Sequence, residues 1–214
     1  MPHRILVVED HPITREGLRA LINQTSDLDV VADVSDAVAA LHVLNESTVD
    51  MVITDVSLPG ADGIELTKQV RAAHPAVPVL VVSALSEDLY AARAIRAGAR
   101  GFISKLAPSD SVLDAIRSVL TGHVVIPDGV RDRILDRYLN HDSAGSPVES
   151  LSDRELEVLR LIGRGLKTTL VAERLGISPK TVETHRVNIK DKLSLDTTNE
   201  LIRWAALWME SDRA

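Results

Sequence analysis

The chain has 214 residues, 45% hydrophobic and 26% charged, ordinary values for globular protein of one large or two small domains. It lacks cysteine, which excludes disulfides and thiolate metal sites, and no apolar run approaches the roughly 20 residues that span a bilayer. The net charge of −7 is unevenly spread: residues 150–214 carry 11 Lys and Arg against 10 Asp and Glu, residues 1–149 carry 13 against 21, so the two parts suit different partners.

The first 120 residues alternate between two patterns. Short β-rich runs occur at Ile5–Val8, Val30–Val34, Met51–Thr54, Val77–Val82 and Gly101–Ser104. Helical spacing occupies residues 13–24, 36–46, 63–74, 87–97 and 109–120 between and after them. Alternation of this kind implies parallel strands joined by crossover helices, and continuous apolar runs such as Val79-Leu80-Val81-Val82 imply strands buried on both faces. The expected fold is α/β, a doubly wound five-stranded parallel sheet. With one Phe, two Tyr and two Trp, its core must come from Val, Leu, Ile and Ala, and base stacking on single strands is disfavoured.

Residues 121–150 hold Gly122, Pro127, Gly129, Gly145, Ser146 and Pro147, which break regular structure and mark a linker with room for a short helical piece near 129–140. From Leu151 onward the pattern is helical only. Ser152-Asp153-Arg154-Glu155 has the form of a capping box, followed by the apolar stripe Leu156, Leu159, Ile162. A second helix is expected over 168–175, ending at Gly176. Ser178 caps a third that starts with Pro179, and a fourth covers about 197–210. The expected organisation is an α/β domain over 1–121, a linker over 122–147 and an all-α domain of four helices over 148–214. The N-terminus turns acidic too soon after its short apolar stretch to be a signal peptide, so a cytoplasmic location is expected.

Five polar groups fall at strand ends in the first part. Glu9 and Asp10 follow the first strand, Asp55 the third, Ser83 the fourth and Lys105 the fifth. Ligands of parallel α/β sheets bind beyond the carboxyl ends of the strands, so these groups are expected on one rim. Acids at strand ends also occur simply because they stay in water. Gathered together, however, three carboxylates repel, and a hard divalent cation such as Mg²⁺ relieves the repulsion through oxygen ligands. A carboxylate beside it can attack phosphorus, with Lys105 supplying positive charge and Ser83 a donor.

Glu9-Asp10, Thr54-Asp55, Leu58-Pro59-Gly60-Ala61-Asp62-Gly63, Ser83-Ala84 and the run from Gly98 to Lys105 resemble a response-regulator receiver domain over about 1–121. The resemblance implies that Asp55 is the phospho-acceptor and that Glu9, Asp10, Asp55 and the backbone carbonyl of Ser57 hold Mg²⁺. It implies further that Lys105 contacts the phosphoryl group, Ser83 is the switch hydroxyl, and Phe102 is the switch aromatic that swings inward. Leu106 stands where many receivers carry Pro.

In the second part, Thr168–Val187 has the layout of a helix-turn-helix. On its second helix Val182, Ile189 and Leu193 share an inward face, which leaves Lys180, Thr181, Glu183, Thr184, Val187 and Asn188 outward, with Arg186, Lys190 and Lys192 in reach of phosphates. A plain helical bundle with a solvated face has the same spacing. The segments Leu151–Leu159, Gly165-Leu166, Val171-Ala172 and Leu175–Arg186 resemble the LuxR-type domain of the NarL/FixJ family. That resemblance implies a last helix able to form a homodimer, which Trp204, Leu207 and Trp208 suit, although a core role suits them equally. Two departures stand out. Thr168-Thr169-Leu170 replaces the usual Asn-Lys-Glu, and Glu183 occupies a position where base reading is common, where it either accepts from cytosine or repels phosphate.

The whole therefore resembles a two-component response regulator, not an enzyme, with a sensor histidine kinase, duplex DNA and a second copy as partners, Mg²⁺ as cofactor, and no membrane. One alternative is a phosphorylation-independent DNA-binding regulator with a dimerising receiver. The other is an aspartate-nucleophile phosphatase, disfavoured because Ser57 stands where that chemistry needs a second acid.

Overall fold

The apolar runs form strands and the periodic stretches form helices in the expected order: β1 (His3–Val8), α1 (Pro12–Asn23), β2 (Leu28–Val34), α2 (Ala37–Glu46), β3 (Met51–Thr54), α3 (Gly63–Ala73), β4 (Val79–Ser83), α4 (Glu87–Ala97), β5 (Gly101–Ser104) and α5 (Ser109–Leu120). The computed structural model describes residues 1–132 and 147–211 and has two units, Met1–Leu135 and Asp136–Ala214.

In the first unit all neighbouring strands are parallel, in the order β2-β1-β3-β4-β5. The order reverses between β1 and β3, so a crevice opens at their carboxyl ends. Alternation along β1 shows how the sheet is covered. Ile5 and Val7 join Ile22 of α1 and Val112, Ile116 and Val119 of α5 on one face. Leu6 and Val8 join Ala40 and Leu44 of α2 and Leu66 and Val70 of α3 on the other. Burial on both faces is why these strands read as unbroken apolar runs.

Two strands begin elsewhere than their sequence pattern suggests. β4 starts at Val79 rather than Val77, because Pro78 has no N–H to donate and serves only as acceptor for the Val52 amide, at 3.0 Å. β2 starts at Leu28 rather than Val30, its first residues paired with His3 and Arg4. Beyond α5, Val125 bridges Gly101 in parallel register, accepting from the Phe102 amide at 2.9 Å and donating to the Arg100 carbonyl at 3.0 Å. Residues 128–132 are helical; the remainder of the piece expected near 129–140 lies outside the described residues.

The second unit begins with a 3₁₀ turn (Pro147–Ser150), then α6 (Asp153–Gly163), α7 (Thr168–Leu175), α8 (Pro179–Leu193) and α9 (Thr198–Ser211). Ser152 closes the capping box: its hydroxyl accepts from the Glu155 amide at 3.3 Å, and its own amide donates to Glu155 Oε2 at 2.7 Å. Gly176, at φ 62°, ends α7 in the left-handed conformation that lets the chain turn sharply into α8. Ser178 caps α8, accepting from the Thr181 amide at 3.0 Å, and Pro179 occupies its first turn. Leu156, Leu159, Val171, Val182, Ile189, Leu201 and Ala205 are buried, so the helices share one small core. Leu193, expected within it, is only half-buried at the end of α8.

Candidate functional site

The carboxylates at the rim are placed by strand register. Val8 and Thr54 are register partners, so Glu9 and Asp55 each stand one residue beyond the last pair of β1 and β3, flanking the crevice. The Asp55 amide donates to the Val8 carbonyl at 2.9 Å and the Glu9 amide to the Val34 carbonyl at 3.0 Å. Ser83 and Ser104 are register partners on β4 and β5, and the Lys105 amide donates to the Ser83 carbonyl at 2.9 Å. Backbone pairing alone therefore brings four strand ends together.

The side chains then converge. Lys105 Nζ lies 2.6 Å from Glu9 Oε2 and 2.8 Å from Asp55 Oδ2, while Asp55 Oδ1 accepts from the Val56 amide at 2.7 Å. Glu9 and Asp55 are buried. Burial disfavours the Lys105 ammonium, but the charges and hydrogen bonds of Asp55 and Glu9 outweigh it, and its pKa is raised above the ordinary lysine value.

Ligand atoms of Glu9, Asp10, His11 and Asp55 all lie within 4.8 Å of one another. Three carboxylates are gathered about a single ammonium that contacts two of them, Glu9 and Asp55, and the acidic donors are all oxygen; both features fit a hard divalent cation. His11 was not singled out in the sequence, though its position beside two acids was the signal. Its Nδ1 is 2.7 Å from Asp10 Oδ1 and 3.3 Å from Glu9 Oε1. Arg15 donates to the Glu9 carbonyl at 2.7 Å and bridges to Asp33 at 3.3 Å, tying α1 to the rim.

Ser57 lies two residues past Asp55 in a loop closed by the Gly63 amide on the Val56 carbonyl, at 2.9 Å. Gly63 is also where α3 comes nearest the site: a Cβ there would sit 1.8 Å from the Asp55 carbonyl oxygen. Asp62 caps α3 by accepting from the Glu65 amide at 2.7 Å. The Ser83 hydroxyl accepts from the Leu85 amide at 3.2 Å and so is turned toward its own loop. Phe102 is already inside, 1% exposed. Since Ile103 packs against the α1/α5 core, strand alternation puts Phe102 on the α4 face of the sheet.

In the helical unit, Lys180, Glu183, Thr184, Val187 and Asn188 are exposed on α8, at spacings that put them on one face, and Thr181 is half-buried beside them. Two of the cations proposed for phosphate contact are engaged within the unit. Lys192 donates to the buried Glu155 at 2.7 Å. Arg186 donates to Thr168 Oγ1 at 2.7 Å and reaches Glu183 Oε1 at 3.2 Å. Lys190 is half-buried. The Thr184 hydroxyl donates to the Lys180 carbonyl at 3.1 Å. Burial holds the imidazole of His185, on the inner side of α8, below its ordinary pKa; Arg154 adds to this and Glu155 opposes it. Arg154 donates to the Leu175 carbonyl at the end of α7, so the helix-turn-helix is braced against α6.

A buried aspartate at the switch point of a five-stranded parallel sheet, beside a lysine and two further acids, is the arrangement of a receiver domain, and the capped helix pair with an exposed polar face has the layout of a helix-turn-helix. The response regulator receiver domain family matches residues 5–117, and the family described as bacterial regulatory proteins, luxR family, matches residues 149–205. The chain belongs to the response regulators of NarL/FixJ type, a family of DNA-binding transcription regulators rather than enzymes.

Its relatives match over nearly their whole length. The chain is 35% identical to the Fimbriae Z protein of Escherichia coli (strain K12), covering 97% of this chain and 98% of that protein. It is 33% identical to the Oxygen regulatory protein NreC of Staphylococcus aureus (strain JH9), covering 94% and 96%. Among solved structures, RcsB from Salmonella enterica serovar Typhimurium, bound to promoter P1flhDC in the presence of the phosphomimetic BeF3-, matches with a TM-score of 0.67 at 25% identity, covering 96% and 98%. Response regulator ChrA of a heme-sensing two-component system matches at 32% identity with a TM-score of 0.53, covering 98% of each chain. Among the described residues, no helix is long and apolar enough to cross a membrane.

Proposed function

We propose that Asp55 accepts a phosphoryl group from a sensor histidine kinase and that the phosphorylated chain regulates transcription by binding duplex DNA as a homodimer in the cytoplasm. The receiver occupies 1–121 and the DNA-binding domain 148–214, joined by 122–147. The observation that carries this reading is the Lys105 ammonium bridging the Glu9 and Asp55 carboxylates, at 2.6 and 2.8 Å, beside a cluster rich in oxygen ligands.

Glu9, Asp10, Asp55 and the Ser57 carbonyl would hold Mg²⁺, which supplies charge neutralisation at the phosphoryl oxygens. Asp55 supplies the attacking oxygen: Oδ1 accepts from the Val56 amide and Oδ2 from Lys105, so Oδ2 is released for attack as Lys105 turns to the incoming phosphoryl group. Lys105 exchanges a carboxylate for the incoming phosphoryl oxygens, and Ser83 turns from the Leu85 amide to donate to them. Phe102 then lies in the inward position from the start, and phosphorylation favours that population over an outward one.

On the DNA, Lys180, Thr181, Glu183, Thr184, Val187 and Asn188 face the major groove, with Lys190 nearer the backbone and Arg186 and Lys192 behind it, held by Thr168 and Glu155. Exposed Leu207, beside the stacked Trp204 and Trp208 with ring centres 6.3 Å apart, supports an α9 face that meets a second copy. RcsB, seen bound to a promoter with a phosphomimetic, supports the same order of events here. The decisive experiment treats the purified chain with acetyl phosphate and Mg²⁺. Wild type takes up one phosphoryl group, and Asp55→Asn takes up none while melting as a folded protein. Stoichiometric labelling of Asp55→Asn would overturn the assignment.

A further inference from the structure

Glu183 and Arg186 lie one turn apart on α8, and Thr168 of α7 joins them. The Thr168 hydroxyl donates to Glu183 Oε1 at 2.8 Å and accepts from Arg186 Nη1 at 2.7 Å, and the same guanidinium nitrogen is 3.2 Å from Glu183 Oε1. Both bonds to the carboxylate thus fall on one oxygen, and among the described residues no contact is found for Oε2. The guanidinium is withdrawn, its side chain 13% exposed, while that of Glu183 is 56% exposed.

The exposed stripe of α8 runs Lys180, Glu183, Thr184, Val187, Asn188, so the free Oε2 is carried on the same face as the groups that meet a base edge. An ionised carboxylate only accepts hydrogen bonds. In the major groove two bases offer a donor, the N4 amino group of cytosine and the N6 amino group of adenine. Adenine carries its N7 acceptor beside that donor, where it repels a second lone pair; on cytosine's own edge the neighbour is the apolar C5–H. Arg186 offsets the negative charge that would otherwise meet DNA phosphates. The two bonds to Oε1 fix the rotamer before binding, so less side-chain freedom is lost on contact.

We propose that Glu183 selects cytosine at one position of each half-site, with Thr168 and Arg186 as the residues that position it. This rests on the DNA-binding reading above and deepens it. It also gives the departure at Thr168 a role: the hydroxyl replaces an amide-bearing residue and aims the carboxylate.

The test is selection from a randomised duplex pool by the full-length chain with Mg²⁺ and beryllofluoride, repeated with variants. Wild type enriches a two-fold repeated motif with cytosine in one column. Glu183→Ala loses that column's preference, by about fivefold or more, and keeps the others. Glu183→Gln, whose amide pairs with N6 and N7, changes the column to adenine. Thr168→Val weakens the preference in that column alone and Thr168→Ser restores it, which a purely structural role would not produce. An unchanged column in Glu183→Ala and Glu183→Gln overturns the inference and leaves DNA binding standing. No enrichment by wild type overturns the DNA-binding reading itself, and the inference with it.

Discussion

Two buried glutamates meet lysines at almost the same distance in the two units: Glu9 to Lys105 at 2.6 Å, Glu155 to Lys192 at 2.7 Å. Their surroundings make them different devices. At the rim Asp55 shares the ammonium and Asp10 adjoins, so the cluster is left with surplus negative charge that further positive ligands relieve. Glu155 meets one lysine and accepts the Ser152 amide as well, so its charge is balanced and the pair staples α6 to α8. The same bond is a binding site where charge is in excess and a fastening where it is matched. The two units also place their groups by different means. Strand register and a close backbone approach place the pocket acids, leaving their oxygens for chemistry. Side-chain bonds place α8, and those bonds engage two of its cations, Arg186 and Lys192.

The largest expected effect tests placement by backbone. Gly63→Ala puts a methyl where 1.8 Å is available to the Asp55 carbonyl oxygen, so α3 or the β3 end must move. Overpacking of this kind costs about 3 kcal/mol. Urea unfolding should show the first unit destabilised by that amount, and acetyl phosphate labelling should be impaired. An unchanged midpoint would mean the approach of α3 does not hold the pocket.

The counterpart in the helical unit is Glu155→Ala, which removes half of the capping box and a charge-assisted bond. The loss should be about 2 kcal/mol in the thermal unfolding of that unit. Glu155 adds a pH signature. Burial raises its pKa, but Lys192 and the Ser152 bonds outweigh this and hold it below the ordinary 4.5. A depressed carboxylate stabilises the fold above the unfolded value, and the contribution disappears as pH falls through the folded one. The stability difference between wild type and Glu155→Gln should therefore be full near neutral pH and shrink below 4.5. A difference that persists at low pH would count against the ion pair.

The fold was almost wholly legible because its signals are local. Buried parallel strands read as apolar runs, Ser152 and Ser178 announce helix starts, and Gly176 announces a stop. Misses fell where a non-local partner decides. The first residues of β2 pair with His3 and Arg4, and Asp29 breaks the apolar pattern there. The pocket was legible because each acid follows a strand. That Arg186 and Lys192 already have partners within the unit was not legible, because those partners, Thr168 and Glu155, are 18 and 37 residues away. Charge is visible in a sequence, but whether it is already spent is not. Gly63 stood inside a quoted motif, yet its reason, contact with the Asp55 backbone, is tertiary.

That distinction between free and engaged cations predicts a smaller effect. Lys180 is exposed on α8, whereas Lys192 is held by Glu155. Lys180→Ala should lower the slope of log affinity against log salt by about 0.9, one phosphate's worth, on any duplex. Lys192→Ala should leave the slope nearly unchanged and instead lower the melting temperature of the helical unit. Equal slopes for the two variants would show that the Glu155 pair does not withdraw Lys192 from DNA.

The smallest effect belongs to a third ion pair, on the solvent-exposed surface. Arg117 of α5 grips Asp27, before β2, through two bonds of 2.8 and 3.1 Å. The guanidinium bond is the main reason the Asp27 carboxyl sits at about 2, against an ordinary 3.8. By the same sign rule, its stabilisation is present above 3.8 and lost as pH falls toward 2. Solvent screens an exposed pair, so unfolding experiments should barely register it, while carboxyl NMR should. Arg117→Gln should return the Asp27 midpoint toward 3.8, and molar salt should do part of the same. The Glu155 midpoint, sheltered from solvent, should resist that salt; if both midpoints move alike, burial is not what separates a fastening from a surface contact.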